Sequence, residues 1–286
     1  MLSPFFVMQT IYVVFLRQEF DCKMETTNNY MQSAILRHLE DIEKQYDVRI
    51  LLAVESGSRA RGINSNESDW DLRFVYVNKL DWYLRVNEDR DVIEEMYDDN
   101  VDIVGWELRK TLRLFQKSNP SLMEWLHSPV IYRADKDFLS RMRALETVYF
   151  NPIKTMYHYE SLYIKHDKRY LQDSANPLKR FLHYLRGILS CRWIEKFNTM
   201  PPMLFSELVQ GTVDDDFILK EIDKLINLKK QSKGNDNLEV NANLVDYARN
   251  LAEHFERNIS NFRPDMNHTG NATNLDALLQ EMILRK

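Results

Sequence analysis

Two carboxylates with one residue between them, Asp69 and Asp71, follow a Gly57-Ser58 pair after ten intervening residues. On a strand, positions i and i+2 point to the same face. At a rise of about 3.3 Å per residue their backbones stand roughly 6.5–7 Å apart. Carboxylates converging from one face can hold one or two Mg²⁺ ions against the phosphates of a nucleotide. A Gly-Ser turn that leaves a buried strand and opens a helix supplies the other half. Gly57 lets the backbone approach a phosphate, and the Ser58 hydroxyl and the free N–H groups of the helix start can hydrogen-bond it.

Two carboxylates leave two metal ions under-neutralised, so a third acid is expected. Asp102, on a further predicted strand, is the best placed; Glu107 and Glu95 sit off the predicted strands. Arg73 shares a face with Asp69 and Asp71 and can orient them or contact a phosphate. A solvated loop entering an edge strand would also read Ser65-Asn-Glu-Ser-Asp69-x-Asp71. The strongly apolar run before Gly57 and the acid on a further strand weigh toward chemistry.

The elements that must position these residues are legible around them. Arg49–Glu55 is a short apolar run and predicts a buried strand. Leu72–Val77 predicts a second strand, and Val101–Val104 a third that ends at Gly105. Ahead of them, Ile35, Leu39 and Ile42 recur at helical spacing within 30–45. Leu108, Leu112 and Phe115 mark a helix that stops before Asn119-Pro120. Asn119 as cap, with Pro120 at the first helical position, starts the next. After residue 130 the pattern is helical, over about 136–147, 153–172, 176–198, 214–231 and 240–259. The layout is an α/β front third and a helical remainder.

Residues 151–200 hold nine Lys/Arg against four Asp/Glu, with Tyr157, Tyr159, Tyr163, Tyr170, Tyr184 and Trp193 interleaved. Such a segment can grip a nucleic-acid backbone and stack bases. It can equally bury its aromatics along one stripe and solvate its charges along the other. Lys179 and Arg186 are its candidate triphosphate contacts.

The 286 residues carry 38 Lys+Arg and 43 Asp+Glu, a net charge of −5, with 44% hydrophobic and 28% charged residues. That balance belongs to globular proteins and excludes low-complexity, collagen-like and coiled-coil chains. The mild acidity argues against non-specific coating of nucleic acid. Cys22 and Cys191 are too few and too far apart for a disulfide framework, which favours a reducing, cytoplasmic compartment. The apolar run Pro4–Leu16 is too short to span a membrane, and lacks the flanking charges of an export signal. Residues 1–23 are therefore read as an extension outside the fold, 24–130 as a catalytic domain and 131–286 as a helical domain.

Gly57-Ser58 with Asp69-x-Asp71 resembles the signature of the polymerase-β-like nucleotidyltransferase superfamily. Longer stretches are similar to one of its branches, the predicted nucleotidyltransferases associated with RNA ligases in RNA repair. They are Glu55–Gly62, Ser68–Val77, Asp81–Leu84, Gly105–Lys110, Lys117–Pro120, Glu124–Pro129 and Cys191–Glu195, and the similarity runs from about residue 30 to 286. It implies an α+β fold, a small mixed sheet followed by an all-helical domain. It also implies transfer of a nucleoside monophosphate from an NTP, with Mg²⁺ or Mn²⁺, to an acceptor hydroxyl. Carried over, Asp69, Asp71 and Asp102 are metal ligands, and Gly57 and Ser58 hold the triphosphate. Arg61 stands where an aromatic residue is expected. The acceptor is left open between RNA, a protein and a small molecule, and a silent nucleotide- or RNA-binding module of the same fold is the rival reading.

Overall fold

The computed structural model describes residues 30–87, 89–97, 100–172, 177–231, 240–263 and 272–285. The reading of residues 1–23 lies outside them. The chain divides into two compact units, Met1–Val48 and Arg49–Lys286. Residues 30–46 of the first form helix α1, on which Ile35, Leu39 and Ile42 are buried, the face their spacing predicts.

The second unit opens with five strands in a mixed sheet. β1 (Arg49–Glu55), β2 (Trp70–Val77), β3 (Val92–Tyr97), β4 (Val101–Glu107) and β5 (Ile131–Ala134) lie in the order β3-β4-β2-β1-β5. β1 pairs antiparallel with β2 and β5, and β3 antiparallel with β4. β2 and β4 run parallel, with Asp71 opposite Asp102. The apolar run of β1 is buried from Ile50 through Glu55, as expected of a strand covered on both faces.

Gly105 does not end its strand. β4 continues through it to Glu107, because Gly105 pairs with Phe74 and a Cβ there would lie 2.1 Å from that ring's Cζ. The glycine makes room for an aromatic ring on the neighbouring strand rather than breaking the element. Glu107, taken as off-strand, closes β4 and is buried. It accepts the Tyr83 hydroxyl at 2.5 Å and the Lys110 N–H at 3.1 Å, capping α3 (Leu108–Gln116). The next helix, α4 (Pro120–Leu126), starts as its sequence dictates, the Asn119 side chain accepting from the Leu122 N–H.

After β5 the chain forms α5 (Lys136–Tyr149), α6 (Pro152–Gln172), α7 (Pro177–Phe197), α8 (Phe205–Thr212), α9 (Asp216–Gln231), α10 (Ala242–Asn258) and α11 (Ala272–Leu284). A short helix, α2 (Leu80–Tyr83), follows β2. The fold class is α+β, as the sequence implied. The aromatic stripe of α6 and α7 turns inward: Tyr159, Tyr163 and Tyr184 are core residues packed with Phe181 and Leu185. Burial, not base stacking, is what these three rings do. Trp193 is half-buried against Phe197 and donates to the Thr199 hydroxyl; Tyr157 is exposed. The side chain of Tyr170 lies outside the described residues. No helix among the described residues is long and apolar enough to cross a membrane.

Candidate active site

The end of β1 organises the site. Glu55 closes that strand fully buried, and its carboxylate gathers the main chain around it. Oε1 accepts the Asp71 N–H at 2.8 Å and the Gly57 N–H at 3.4 Å, and Oε2 accepts the Tyr132 hydroxyl at 2.8 Å. Burial raises the Glu55 pKa above the ordinary value, against those hydrogen bonds. Sequence reading gave Glu55 no role. The available signal was an acid ending a buried apolar run directly before Gly-Ser.

Residues 57–62 do not open a helix. They form a single turn, closed by the Arg61 N–H to Gly57 O at 3.3 Å and by the Ile63 N–H to Ser58 O at 3.1 Å. Gly57 is required there for space. A Cβ on it would stand 1.7 Å from Asp71 Oδ2, so the carboxylate rests directly over the glycine.

Asp69 lies just ahead of β2, whose first residue is Trp70, so the pair is carried by a strand entrance rather than by a strand interior. Arg59 pins that entrance. Its guanidinium sits 3.7 Å from the Trp70 ring centroid and donates to Ser68 O at 2.7 Å and Asp69 O at 3.3 Å. A planar fork that stacks and donates at once is what arginine offers and lysine does not. This residue too was missed, although it belongs to the Gly57–Gly62 turn.

Ser58, Asp69, Asp71 and Lys179 line one cleft of about 360 Å³, with Arg61, Ile63, Glu67, Leu182, His183 and Lys229 among its other walls. Carboxylates from β2 and its entrance and cations from α7, α9 and the Gly-Ser turn therefore border the same cleft. Burial raises the Asp71 pKa, opposed by Arg73 and Arg61. Burial lowers His183 to about 3, helped by Arg61, His166, Arg186 and Lys179, so its imidazole is neutral at physiological pH.

Arg186 is elsewhere. It is buried, and Nη2 donates to Glu124 Oε1 at 2.5 Å, which also accepts the Tyr159 hydroxyl at 2.7 Å. Arg61 reaches the other Glu124 oxygen at 3.8 Å. Burial would raise the Glu124 pKa, but Arg186, Arg61 and the Tyr159 hydroxyl bring it down to about 2. Burial, with Arg186 nearby, lowers Arg61 to about 10, and it stays charged at neutral pH. Two guanidiniums thus share one carboxylate beneath the cleft.

Asp102 and Arg73 also stand outside the cleft lining. Asp102 neighbours Asp71 across the sheet, but Arg73 Nη2 donates to its Oδ2 at 2.8 Å. Among the described residues no three His, Cys, Asp or Glu side chains are grouped to hold a metal ion.

The model of the RNA repair pathway DNA polymerase beta family matches residues 31–281. The uncharacterized protein YcgL of Bacillus subtilis (strain 168) is 44% identical over 203 residues, 71% of this chain and 78% of that protein. A nucleotidyltransferase-like protein from Exiguobacterium sibiricum 255-15, known from a crystal structure, is 14% identical. The match covers 88% of each chain with a TM-score of 0.32.

Proposed function

The chain belongs to the RNA repair pathway DNA polymerase beta family, and we propose on that premise that it is a divalent-metal-dependent nucleotidyltransferase. It moves a nucleoside monophosphate from an NTP to an acceptor hydroxyl, and RNA is the acceptor class that the family description favours. The observation that carries this reading is the single cleft lined by Asp69, Asp71 and Ser58 together with Lys179, Arg61 and Lys229.

The residues present suit Mg²⁺. Asp69 and Asp71 are hard oxygen donors, and Gly57 leaves the space that the Asp71 carboxylate fills. Mg²⁺ is commonly held by one or two carboxylates, with substrate phosphates and water completing its shell. When bound, it supplies charge neutralisation at the reacting phosphate.

The protein's own groups do the rest. Lys179 and Arg61 offset the charge of the triphosphate, and the Ser58 hydroxyl donates to a phosphate oxygen. The carboxylates and the cations fix the nucleotide between them, so that the acceptor hydroxyl meets the α-phosphorus in line with the leaving pyrophosphate. The acceptor oxygen–phosphorus bond forms, the bond to the bridging oxygen breaks, and the hydroxyl proton passes to a cleft carboxylate or to water. Glu55, Gly57 and Arg59 hold the two aspartates in place.

The test is transfer of each α-labelled NTP, with Mg²⁺ or Mn²⁺, to total RNA and to a protein extract. The Asp69→Ala/Asp71→Ala variant runs alongside. Label entering RNA and vanishing in the variant supports the reading; label entering protein alone replaces the acceptor. No label in any pool from folded protein that binds NTP turns the assignment to a silent binding module.

A further inference from the structure

A second charged surface lies at the other end of the sheet from Asp69. β2 and β4 run parallel, and α2 and α3 follow from their far ends. The length of β2, roughly 23 Å, separates them from the strand entrance that carries Asp69. There Trp82, Tyr83 and Arg85 line one hollow with Arg109, Lys110 and Arg113. The acids of that hollow are already engaged: Asp89 by Arg85, Asp91 by Lys110 at 2.8 Å, and Glu107 by the Tyr83 hydroxyl. Arg109 and Arg113 are left over. Asp276 of α11 lines the adjoining hollow with both, and no ion pair among the described residues joins it to either. The half-buried Arg109 guanidinium sits 5.0 Å from the Tyr83 ring centroid, and Trp82 stands edge-on to that ring at 5.0 Å. Arg113 and Lys117 are exposed and follow Arg109 at four-residue spacing, so the three cations form a stripe about 12 Å long.

We propose that this surface is a binding site for single-stranded RNA, remote from the place of transfer: Arg109, Arg113 and Lys117 hold phosphates and Trp82 stacks a base. The inference deepens the reading above, on which it rests for RNA as the acceptor class. Guanidiniums take phosphate oxygens in a two-pronged hold, and an aromatic ring beside them takes an unpaired base. The chain carries a net charge of −5, so a polyanion gains nothing from the molecule as a whole and is drawn to a local surplus of positive charge. The ligand is a polymer, because a nucleotide held at the cleft does not extend along the whole of β2. An acidic peptide would answer the arginines and leave Trp82 without a base. Binding so far from the reacting phosphate adds affinity for the acceptor without touching the chemical step.

The test is fluorescence anisotropy of a labelled single-stranded RNA of about 16 nucleotides, the upper end of single-strand site sizes. The full chain is titrated at several salt concentrations with no NTP or metal present, and a thermal melt checks that each variant is folded. Arg109→Gln/Arg113→Gln is expected to weaken binding and to flatten the slope of log affinity against log salt by about 1.4, at about 0.7 for each phosphate contact on a single strand. Arg113→Gln alone, at an exposed position, flattens it by about 0.7. Trp82→Ala weakens binding about five- to 150-fold, the worth of one stacked base. Arg249→Gln/Arg257→Gln, the same loss of charge from exposed positions on α10, keeps the native slope, and Asp69→Ala/Asp71→Ala keeps the binding. A folded Arg109→Gln/Arg113→Gln variant with native affinity and slope overturns the inference, as does a native chain that binds no RNA. RNA binding lost in Asp69→Ala/Asp71→Ala puts the strand at the cleft and overturns it too. Polyglutamate binding that depends on the same arginines, with RNA binding indifferent to Trp82→Ala, overturns RNA as the occupant. RNA bound through Arg109 and Arg113 by a chain that transfers no label supports the inference and refutes the transferase reading alone.

Discussion

Gly57→Ala isolates the close approach between the Gly-Ser turn and the Asp71 carboxylate. Among the described glycines Gly62 is the one with positive φ, so an alanine at 57 meets no backbone penalty. What it meets is Asp71. The new Cβ would stand 1.7 Å from Oδ2, 2.6 Å from Cγ and 2.9 Å from the Asp71 Cβ. To reach an ordinary contact of 3.4 Å, Oδ2 has to withdraw by about 1.7 Å. The Asp71 main chain cannot follow freely, because its N–H is bonded to buried Glu55 and its carbonyl accepts the Ser56 N–H at 2.9 Å. The side chain therefore rotates and the carboxylate leaves its position over the turn, while the 2.9 Å approach to the Asp71 Cβ, which rotation does not change, forces a small main-chain shift as well.

A displacement of about 1 Å in a reacting constellation costs roughly a hundredfold in rate, so Gly57→Ala is expected to lose at least about two orders of magnitude in NTP transfer. Stability pays the ordinary cost of overpacking, about 1–3 kcal/mol. The assay pairs initial rates of α-labelled transfer with Mn²⁺ affinity and a thermal melt. A folded variant that keeps the native rate and the native Mn²⁺ affinity would refute the reasoning, because it would mean that the carboxylate does not work from where it lies.

Four further outcomes are expected. Glu124→Ala leaves Arg61 and Arg186 sharing no carboxylate in a buried place and is expected to cost about 3–5 kcal/mol in denaturant unfolding. The same network sets an acid limit. The folded Glu124 pKa of about 2 lies below its ordinary 4.5, so its contribution is whole above pH 4.5 and is lost as pH falls toward 2; unfolding at pH 7 and pH 3 should show this loss in the native chain and not in Glu124→Ala. Arg59→Lys removes the stacking on Trp70 and the two-pronged hold on Ser68 and Asp69, and is expected to lower transfer by up to about a hundredfold with a melting temperature close to native. Gly105→Ala drives a methyl group into the Phe74 ring and is expected to cost about 1–3 kcal/mol, part of which Phe74→Leu in the same chain should return, as read by thermal unfolding.

What the sequence made legible follows the physics of each element. β1 is buried on both faces and reads as an unbroken apolar run, and α4 announces itself through Asn119-Pro120. β3 and β5 left no such trace. They are the two edges of the sheet, and of the six residues in β3 only Ile93 is buried. α8 and α11, of eight and thirteen residues, were likewise passed over. In the site, the short-range pattern gave Gly57, Ser58, Asp69 and Asp71, because the chemistry of a turn and a strand entrance is local. Lys179 and Arg186 show where local reading stops. Seven residues apart on α7, they share a helical stripe about 10 Å long. Spacing alone does not say that one end of the stripe opens on the cleft and the other sinks to Glu124.

The supports of the candidate acids, of which Arg73 alone was legible in the sequence, have something in common. Glu55 bonds the main chain of Asp71 and Gly57, Arg59 the main chain of Ser68 and Asp69, and Arg73 the main chain of Leu72 and Asp102. Each is a charged side chain spent on backbone groups within a few residues, in sequence or across the sheet, of a candidate acid. A sequence motif records which acids are present; these contacts decide where their oxygens point. Their loss should therefore fall on the rate and on metal affinity more heavily than on the melting temperature. For buried Glu55 the distinction can be drawn within one position. Glu55→Gln keeps an oxygen for the Asp71 N–H and lets the Tyr132 hydroxyl turn to accept, so the fold survives with the site nearly in place. Glu55→Ala orphans both N–H groups and the hydroxyl, at about 1–3 kcal/mol for each group left buried without a partner. A positioning role requires the two variants to separate in transfer rate as well as in stability; equal rates would reduce Glu55 to a core hydrogen-bond acceptor.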